Sequence, residues 1–232
     1  DVLAHMDTVA FRPRRKSFFV HGLTGHRNEH QFFNAAAYFS KKGFNVFRFD
    51  LYCEGKKARN FFDASLSIHG SDTRTVYDYF RKRGFTKIFL VGHSYGGPSI
   101  LLSKSPATAV VWWDPSFDVA RIYRQKEVWK DPSSGMRFID WGIPMRVSDS
   151  YIKDAKKLTP QKALHLVEEW NVPLKIISAG KGVLVAGAKK YLSRVRVAKE
   201  HVIIPDAGHN FNEEGTEQKL FHETLSWIRN FS

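Results

Sequence analysis

The chain has 232 residues, 43% of them apolar and 14% aromatic, with 19 phenylalanines. It is long enough to bury a large core and too apolar to be a disordered segment. Its 36 Lys and Arg against 23 Asp and Glu give a net charge of +13, which favours anionic partners and solubility without bearing on fold. A single cysteine, Cys53, excludes an internal disulfide. No apolar run reaches the length of a membrane span and no secretory pattern opens the sequence, so a reducing, cytoplasmic compartment is expected.

Residues 1–16 carry little information. His5-Met6 has the look of a cloning scar, and Arg12 to Lys16 is a basic patch. Ser17-Phe18-Phe19-Val20-His21 then reads as a buried strand cut off by Gly22. Glu29 to Lys42 places Phe32, Phe33, Ala36, Ala37 and Phe39 at helical spacing, with Gly43 as a C-terminal stop. Phe44 to Phe49 is the next strand, ending at Asp50, and a loop with Gly55 follows. Ser71 to Arg83 is a helix with Val76, Tyr77, Tyr79 and Phe80 on its apolar side, closed by Gly84. Lys87 to Val91 is a buried strand running into Gly92-His93-Ser94-Tyr95-Gly96, after which Pro98 to Lys104 opens a helix. Ala107 to Trp113 is a strand ending in Asp114-Pro115.

The alternation breaks between Ser116 and Trp170, a segment with Trp129, Trp141 and Trp170 and no clear strand. Its length suits a small lid or cap built of short helices. Alternation resumes with a strand over Pro173 to Ser178, a helix over Leu184 to Arg194, a strand over His201 to Ile204 and a closing helix over Glu217 to Phe231. The expected fold class is α/β: one domain over residues 1–232, a doubly wound and mostly parallel sheet, with a small helical cap inserted at about residues 116–170.

Ligands of such sheets bind beyond the carboxyl ends of the strands, so the residues just after each strand are the ones to inspect. Three strand ends form a coherent set. A Gly-x-Ser-x-Gly between strand and helix thrusts the Ser94 Oγ out of a sharp turn, although chance alone can supply the pentapeptide. His209, in Pro205-Asp206-Ala207-Gly208-His209 after the last strand, can take the Ser94 proton and later return it to a leaving group. The turn His21-Gly22-Leu23-Thr24-Gly25 can aim a backbone N–H, that of Leu23, at the same point as the N–H of Tyr95. Two such donors make an oxyanion hole.

On these residues the chain resembles the α/β-hydrolase superfamily, within it the small-cap branch of lysophospholipases, monoacylglycerol lipases and feruloyl esterases. The resemblance runs from about residue 17 to the C-terminus through His21-Gly22-Leu23, Phe49-Asp50-Leu51-Tyr52 with Gly55, Gly92-His93-Ser94-Tyr95-Gly96 and Gly208-His209. It implies a serine hydrolase that needs no cofactor and no metal. Members of the family most often place an acid after the strand that here ends at Ser178, yet this turn reads Ala179-Gly180-Lys181-Gly182. Gly182 stands where the acid is expected, and three readings compete. The acid has moved to Asp114, as in some members of the superfamily; it has been lost, leaving a weakened Ser–His pair; or the protein is no longer an enzyme.

Asp114 is the favoured reading, against a purely structural Asp capping the Asp-Pro-Ser turn. Asp50 resembles the family's structural aspartate. His26 and His30 have the i,i+4 spacing of a metal chelate, but no cysteine or matching carboxylate completes a set. Lys56-Lys57-Ala58-Arg59 and Arg81-Lys82-Arg83 read as solvated faces, and no nucleic-acid-binding module is visible. Trp129 and Trp141 either shape an acyl or aryl pocket or form the cap's own core. The expected function is hydrolysis of a small-molecule carboxylic ester by Ser94, His209 and Asp114, with Leu23 and Tyr95 as the oxyanion hole. The alternative is a hydrolase-fold binding protein with little or no catalysis. Acyl and alcohol specificity and oligomeric state are not set by the sequence.

Overall fold

The computed structural model describes residues 15–53, 58–122, 128–140 and 144–232. Gly55, Lys56, Lys57, Trp141 and residues 1–14 lie outside the described residues. Six strands, β1 (Arg15–Val20), β2 (Asn45–Arg48), β3 (Lys87–His93), β4 (Ala109–Trp113), β8 (Leu174–Ala179) and β9 (Lys199–Ile204), form one sheet in the order β2-β1-β3-β4-β8-β9. Every pairing in it is parallel. The sequence explains why. Strand β4 and the Ile88–Val91 stretch of β3 are continuous apolar runs and β8 is buried along its length, and such strands are stable only where helices cover both faces of a sheet.

Side chains alternate across the sheet, so neighbouring residues enter different cores. Phe18, Leu90, Val110, Trp112 and Ile176 pack beneath Val76, Tyr77 and Phe80 of α2 (Leu66–Lys82), Ile100 of α3 (Gly96–Ser103), Val167 of α6 (Pro160–Glu168) and Tyr191 of α7 (Val185–Arg194). Phe19, Phe89, Val91, Val111, Trp113 and Ile177 pack on the other face against α1 (His30–Lys41) and α8 (Thr216–Arg229). The doubly wound sheet is therefore as expected, and α8 buries Leu220, Phe221, Leu225, Trp227 and Ile228 as its spacing predicts. In α1 the buried stripe is Phe32, Ala35 and Phe39, while Phe33 is 60% exposed beside the Arg48 guanidinium.

Other expectations need correction. Helix α2 begins at Leu66, with the Ser65 hydroxyl accepting the Ile68 N–H, and not at Ser71. Gly70 and the flanking serines read as loop in one dimension, but Gly70 is where the two helices touch. A Cβ there would lie 2.9 Å from Leu102 Cβ.

The segment between β4 and β8 is not purely helical. It holds α4 (Val119–Ile122), α5 (Asp149–Ala155) and α6, and also an antiparallel sheet of β5 (Val128–Lys130), β6 (Arg137–Asp140) and β7 (Pro144–Val147). Strands of three or four residues are too short to show an alternating pattern, and cross-strand pairing supplies what the pattern lacks. Trp129 stacks on Phe138 at 4.9 Å and stays 43% exposed, so it is not part of a core there. Trp170 packs against Trp112 at 6.1 Å. Asp154 of α5 accepts the Ser67 N–H and hydroxyl, each at 2.8 Å, tying this segment to the first turn of α2. Arg59, expected on a solvated face, pairs instead with the buried Asp72. Among the described residues no helix is long and apolar enough to cross a membrane.

Candidate active site

The site sits at the carboxyl ends of β1, β3, β4 and β9. Ser94 follows β3 with φ +52°, a left-handed conformation that a non-glycine residue holds at roughly 1–3 kcal/mol. The turn can close only because its flanking positions lack side chains. A Cβ on Gly92 would meet the Gly96 carbonyl at 2.7 Å, and one on Gly96 would meet Val20 O at 2.2 Å. The Ser94 N–H donates to Trp113 O at 2.9 Å and its carbonyl accepts the Gly97 N–H at 3.2 Å. Ser94 is buried, with its Oγ 3.3 Å from Ser116 Oγ.

Asp114 is fully buried and also has positive φ, +39°. Its N–H continues the ladder to Ile177 O at 2.7 Å. One carboxylate oxygen, Oδ1, accepts the Ala179 N–H at 3.1 Å. The other, Oδ2, accepts from His209 Nδ1 at 2.6 Å. With Nδ1 carrying the proton toward Asp114, Nε2 is the unprotonated nitrogen of neutral His209. The His209 loop is held from several sides. Its carbonyl accepts from His93 Nε2 at 2.8 Å, and the two imidazoles face each other at 4.7 Å. The preceding Gly208 N–H donates to Glu213 Oε2 at 2.8 Å, and Ala207 O accepts the Lys181 N–H at 2.9 Å.

His93 is buried, and desolvation followed by the His209 charge lowers its pKa to about 3. It is therefore neutral, with Nε2–H as donor, and adds no positive charge beside His209. His21 is likewise held neutral, its pKa lowered by burial to about 4. Its Nδ1–H donates to Gly22 O at 2.8 Å while Nε2 accepts the Leu51 N–H at 2.9 Å.

The same Gly22 carbonyl also accepts from Tyr52 OH at 3.3 Å and from the Gly25 N–H at 3.2 Å. In a trans peptide the N–H points opposite to the C=O. Pinning Gly22 O into the protein thus turns the Leu23 N–H the other way, and that N–H meets no acceptor among the described residues. The turn lies directly over the Ser94 turn, since a Cβ on Gly22 would stand 3.2 Å from Ser94 Cβ. Tyr95 is fully buried and stands at the N-terminal boundary of the helix that follows Ser94.

Of the sequence-derived residues, Ser94 and Leu23 meet through Gly22 and His209 meets Asp114, while among the described residues the Ser94 Oγ hydrogen-bonds to Ser116 and not to His209. Gly182 belongs to the same neighbourhood. A Cβ on it would stand 3.4 Å from Asp114 Oδ2, so the turn after β8 faces the carboxylate that the turn after β4 supplies. Asp50 is structural as expected, accepting the Arg27 N–H at 2.7 Å. His30 Nδ1 is taken by Glu217 at 2.9 Å, and His26 Nδ1 accepts the Asn28 N–H at 3.1 Å. Two further residues belong to the site: His93 lies inside the pentapeptide pattern, and Ser116 lies at the start of the insertion. Only the Asp-Pro-Ser tripeptide, which sets Ser116 two residues after the candidate acid, signals the second.

A family model described as the alpha/beta hydrolase family matches residues 18–219. No curated protein sequence matches. Among solved structures, Est1E from Butyrivibrio proteoclasticus with bound ferulic acid superposes with a TM-score of 0.79 at 19% identity, covering 94% of this chain and 90% of that one. Paleococcus ferrophilus monoacylglycerol lipase gives 0.73 at 16% identity, with 95% and 97% covered. Mouse alpha/beta hydrolase domain-containing protein 10 gives 0.69 at 18% identity, with 94% and 90% covered.

Proposed function

Because the chain belongs to the alpha/beta hydrolase family, we propose that it is a serine hydrolase cleaving carboxylic esters through an acyl-enzyme intermediate. Ser94 is the nucleophile, His209 the general base and acid, and Asp114 the carboxylate that orients His209. The Leu23 and Tyr95 N–H groups form the oxyanion hole. The observation that carries this reading is the 2.6 Å hydrogen bond between His209 Nδ1 and the buried Asp114.

In this mechanism His209 Nε2 takes the Ser94 hydroxyl proton as Oγ attacks the ester carbonyl carbon. The carbonyl π pair moves to oxygen, where the two N–H donors meet it. Collapse breaks the C–O bond to the alcohol, which leaves with the proton from Nε2. Water then repeats the sequence on the acyl-enzyme and frees Ser94. The Asp114 carboxylate compensates the imidazolium through Oδ2, while its Oδ1 is held in place by the Ala179 N–H. Esterase and lipase relatives in structure agree with an ester as substrate.

The reading as a binding protein without catalysis rests on the missing acid at Gly182; the carboxylate from β4 on His209 supports the enzymatic reading instead. Turnover of p-nitrophenyl butyrate with a pre-steady-state burst, and loss of both in Ser94→Ala, is the expected result. Hydrolysis that persists in Ser94→Ala would refute the assignment of the nucleophile, and a wild-type protein inert to p-nitrophenyl esters and to fluorophosphonates would return the binding reading.

A further inference from the structure

Ser116 touches the nucleophile, and its place in the chain gives that contact a function. It follows Asp114 by two residues, so one tripeptide reaches both sides of the site: Asp114 Oδ2 lies 2.6 Å from His209 Nδ1, and Ser116 Oγ lies 3.3 Å from Ser94 Oγ. The tripeptide is held against the nucleophile turn along its length. The Ser116 N–H donates to Ser94 O at 3.1 Å. Pro115 covers Gly97 so closely that a Cβ on that glycine would come within 2.8 Å of Pro115 Cβ. The positive φ of Asp114 is what folds the chain back onto the turn. Ser116 itself is buried.

Two hydroxyls in contact can share their protons in only two ways. If Ser94 donated to Ser116, its proton would point away from the base. For Ser94 to give its proton to His209, Ser116 must be the donor and Ser94 Oγ the acceptor. We propose that Ser116 is a second catalytic hydroxyl, which donates to Ser94 Oγ, directs the Ser94 proton toward His209, and stabilises that oxygen while it carries charge. The proposal rests on the serine-hydrolase reading above.

The charge arises twice. In acylation the Ser94 O–H bond breaks, its proton goes to His209 Nε2, and Oγ is electron-rich until its bond to the carbonyl carbon is complete. In deacylation the bond from that carbon to Oγ breaks, the electron pair returns to Oγ, and the proton comes back from Nε2. Ser116 keeps its own proton in both steps. A hydrogen bond to a charged oxygen is stronger than one to a neutral hydroxyl, so the contact contributes more to the transition state than to the ground state. The 3.3 Å resting separation is long for a hydroxyl pair, leaving room to tighten as the charge develops.

Sheet order makes this a consequence of where the acid stands. Strand β4 lies directly beside β3, with Trp113 opposite His93, so the residues after Trp113 run beside those after His93. Strand β8 lies on the far side of β4. An acid at Gly182 could face His209, but no residue of its turn is hydrogen-bonded to Ser94 among the described residues. Carrying the acid on β4 brings the hydroxyl with it.

The test compares Ser116→Ala, Ser116→Cys and Ser116→Thr with wild type, by the rate of fluorophosphonate labelling of Ser94 and by kcat, KM and pH profile on p-nitrophenyl butyrate. Losing a donor to a charged oxygen predicts about a 10- to 100-fold fall in labelling rate and kcat in the Ala and Cys variants, with KM little changed. Thr, which restores the hydroxyl, recovers most of the rate, and the acid limb of the profile, which reports His209, does not move. Cys keeps the side-chain volume and serves if Ala fails to fold. Rates within about twofold of wild type in both variants would overturn the proposal. So would a fall accompanied by a shifted acid limb, which would assign Ser116 to the support of Asp114, or a fall that Thr does not restore. Absence of Ser94 labelling in wild type would instead defeat the serine-hydrolase reading, and this proposal with it.

Discussion

Asp114→Asn changes one atom at the most enclosed point of the site. Asp114 is fully buried, and its two oxygens have separate tasks, one on Ala179 N–H and one on His209 Nδ1. Asparagine can keep only one of them. Its amide oxygen can still accept from Ala179, which leaves the NH₂ facing His209. A donor facing Nδ1 selects the tautomer with the proton on Nε2, and that nitrogen can no longer take the Ser94 proton. If the amide flips to accept from Nδ1–H, the NH₂ confronts the Ala179 N–H instead, and a buried donor loses its acceptor for about 1–3 kcal/mol. Both arrangements also remove the negative charge that compensates the imidazolium. Loss of the acid from a triad costs on the order of 10⁴ in kcat, or about 5.4 kcal/mol of transition-state stabilisation. The assay is steady-state hydrolysis of p-nitrophenyl butyrate, with fluorophosphonate labelling of Ser94 as a control for a formed site; the variant should label slowly while turnover all but vanishes. Undiminished turnover would mean that Asp114 only caps its turn.

Gly182→Asp brings a second carboxylate toward the same histidine, with its Cβ 3.4 Å from Asp114 Oδ2 and 3.2 Å from Ala179 O. It is expected to lower activity in the wild-type background through like-charge repulsion, and to recover part of the loss in Asp114→Asn; a gain of about tenfold or more in the wild-type background would show that the native chain lacks its acid. Buried neutral histidines set the acid limit of the fold. Desolvation holds His93 near 3, His21 near 4 and His69 well below its ordinary value of 6.5. Each pKa is lower in the folded state, so the unfolded chain binds more protons below pH 6.5. The stability from each group is complete above that pH and falls by about 1.4 kcal/mol per pH unit as pH drops toward the folded pKa. Neither ring nitrogen of His69 has a hydrogen-bond partner among the described residues, so His69→Leu should flatten the urea-denaturation stability between pH 6 and pH 5 by about that slope. An unchanged slope would refute the assignment.

What could be read from one dimension and what could not divides along a physical line. Periodicity and glycine placement are local, and they sufficed for the six sheet strands, for the apolar face of α8 and for the turn at Ser94, where Gly92 and Gly96 are demanded by contacts of 2.7 and 2.2 Å. The same local rules misjudged Gly70, because its reason is a neighbouring helix, and the short strands β5 to β7, whose stability lies in their pairing. Electrostatic state was equally hidden: His21, His69 and His93 look alike in the sequence, and only burial makes them neutral.

The acid shows the division most sharply. Sequence alone determined that a Gly-x-Ser-x-Gly turn and a histidine loop were present, and that the turn after β8 held no carboxylate. It could not choose among a displaced acid, a lost one and an inert protein, because residues 114 and 209 are 95 positions apart and no local pattern links them. Sheet order brings them within 2.6 Å and sets Ser116 beside Ser94. Spacing along a chain governs which face a residue takes, whereas contact between strand ends depends on which strands are neighbours, and that is decided only when the sheet assembles.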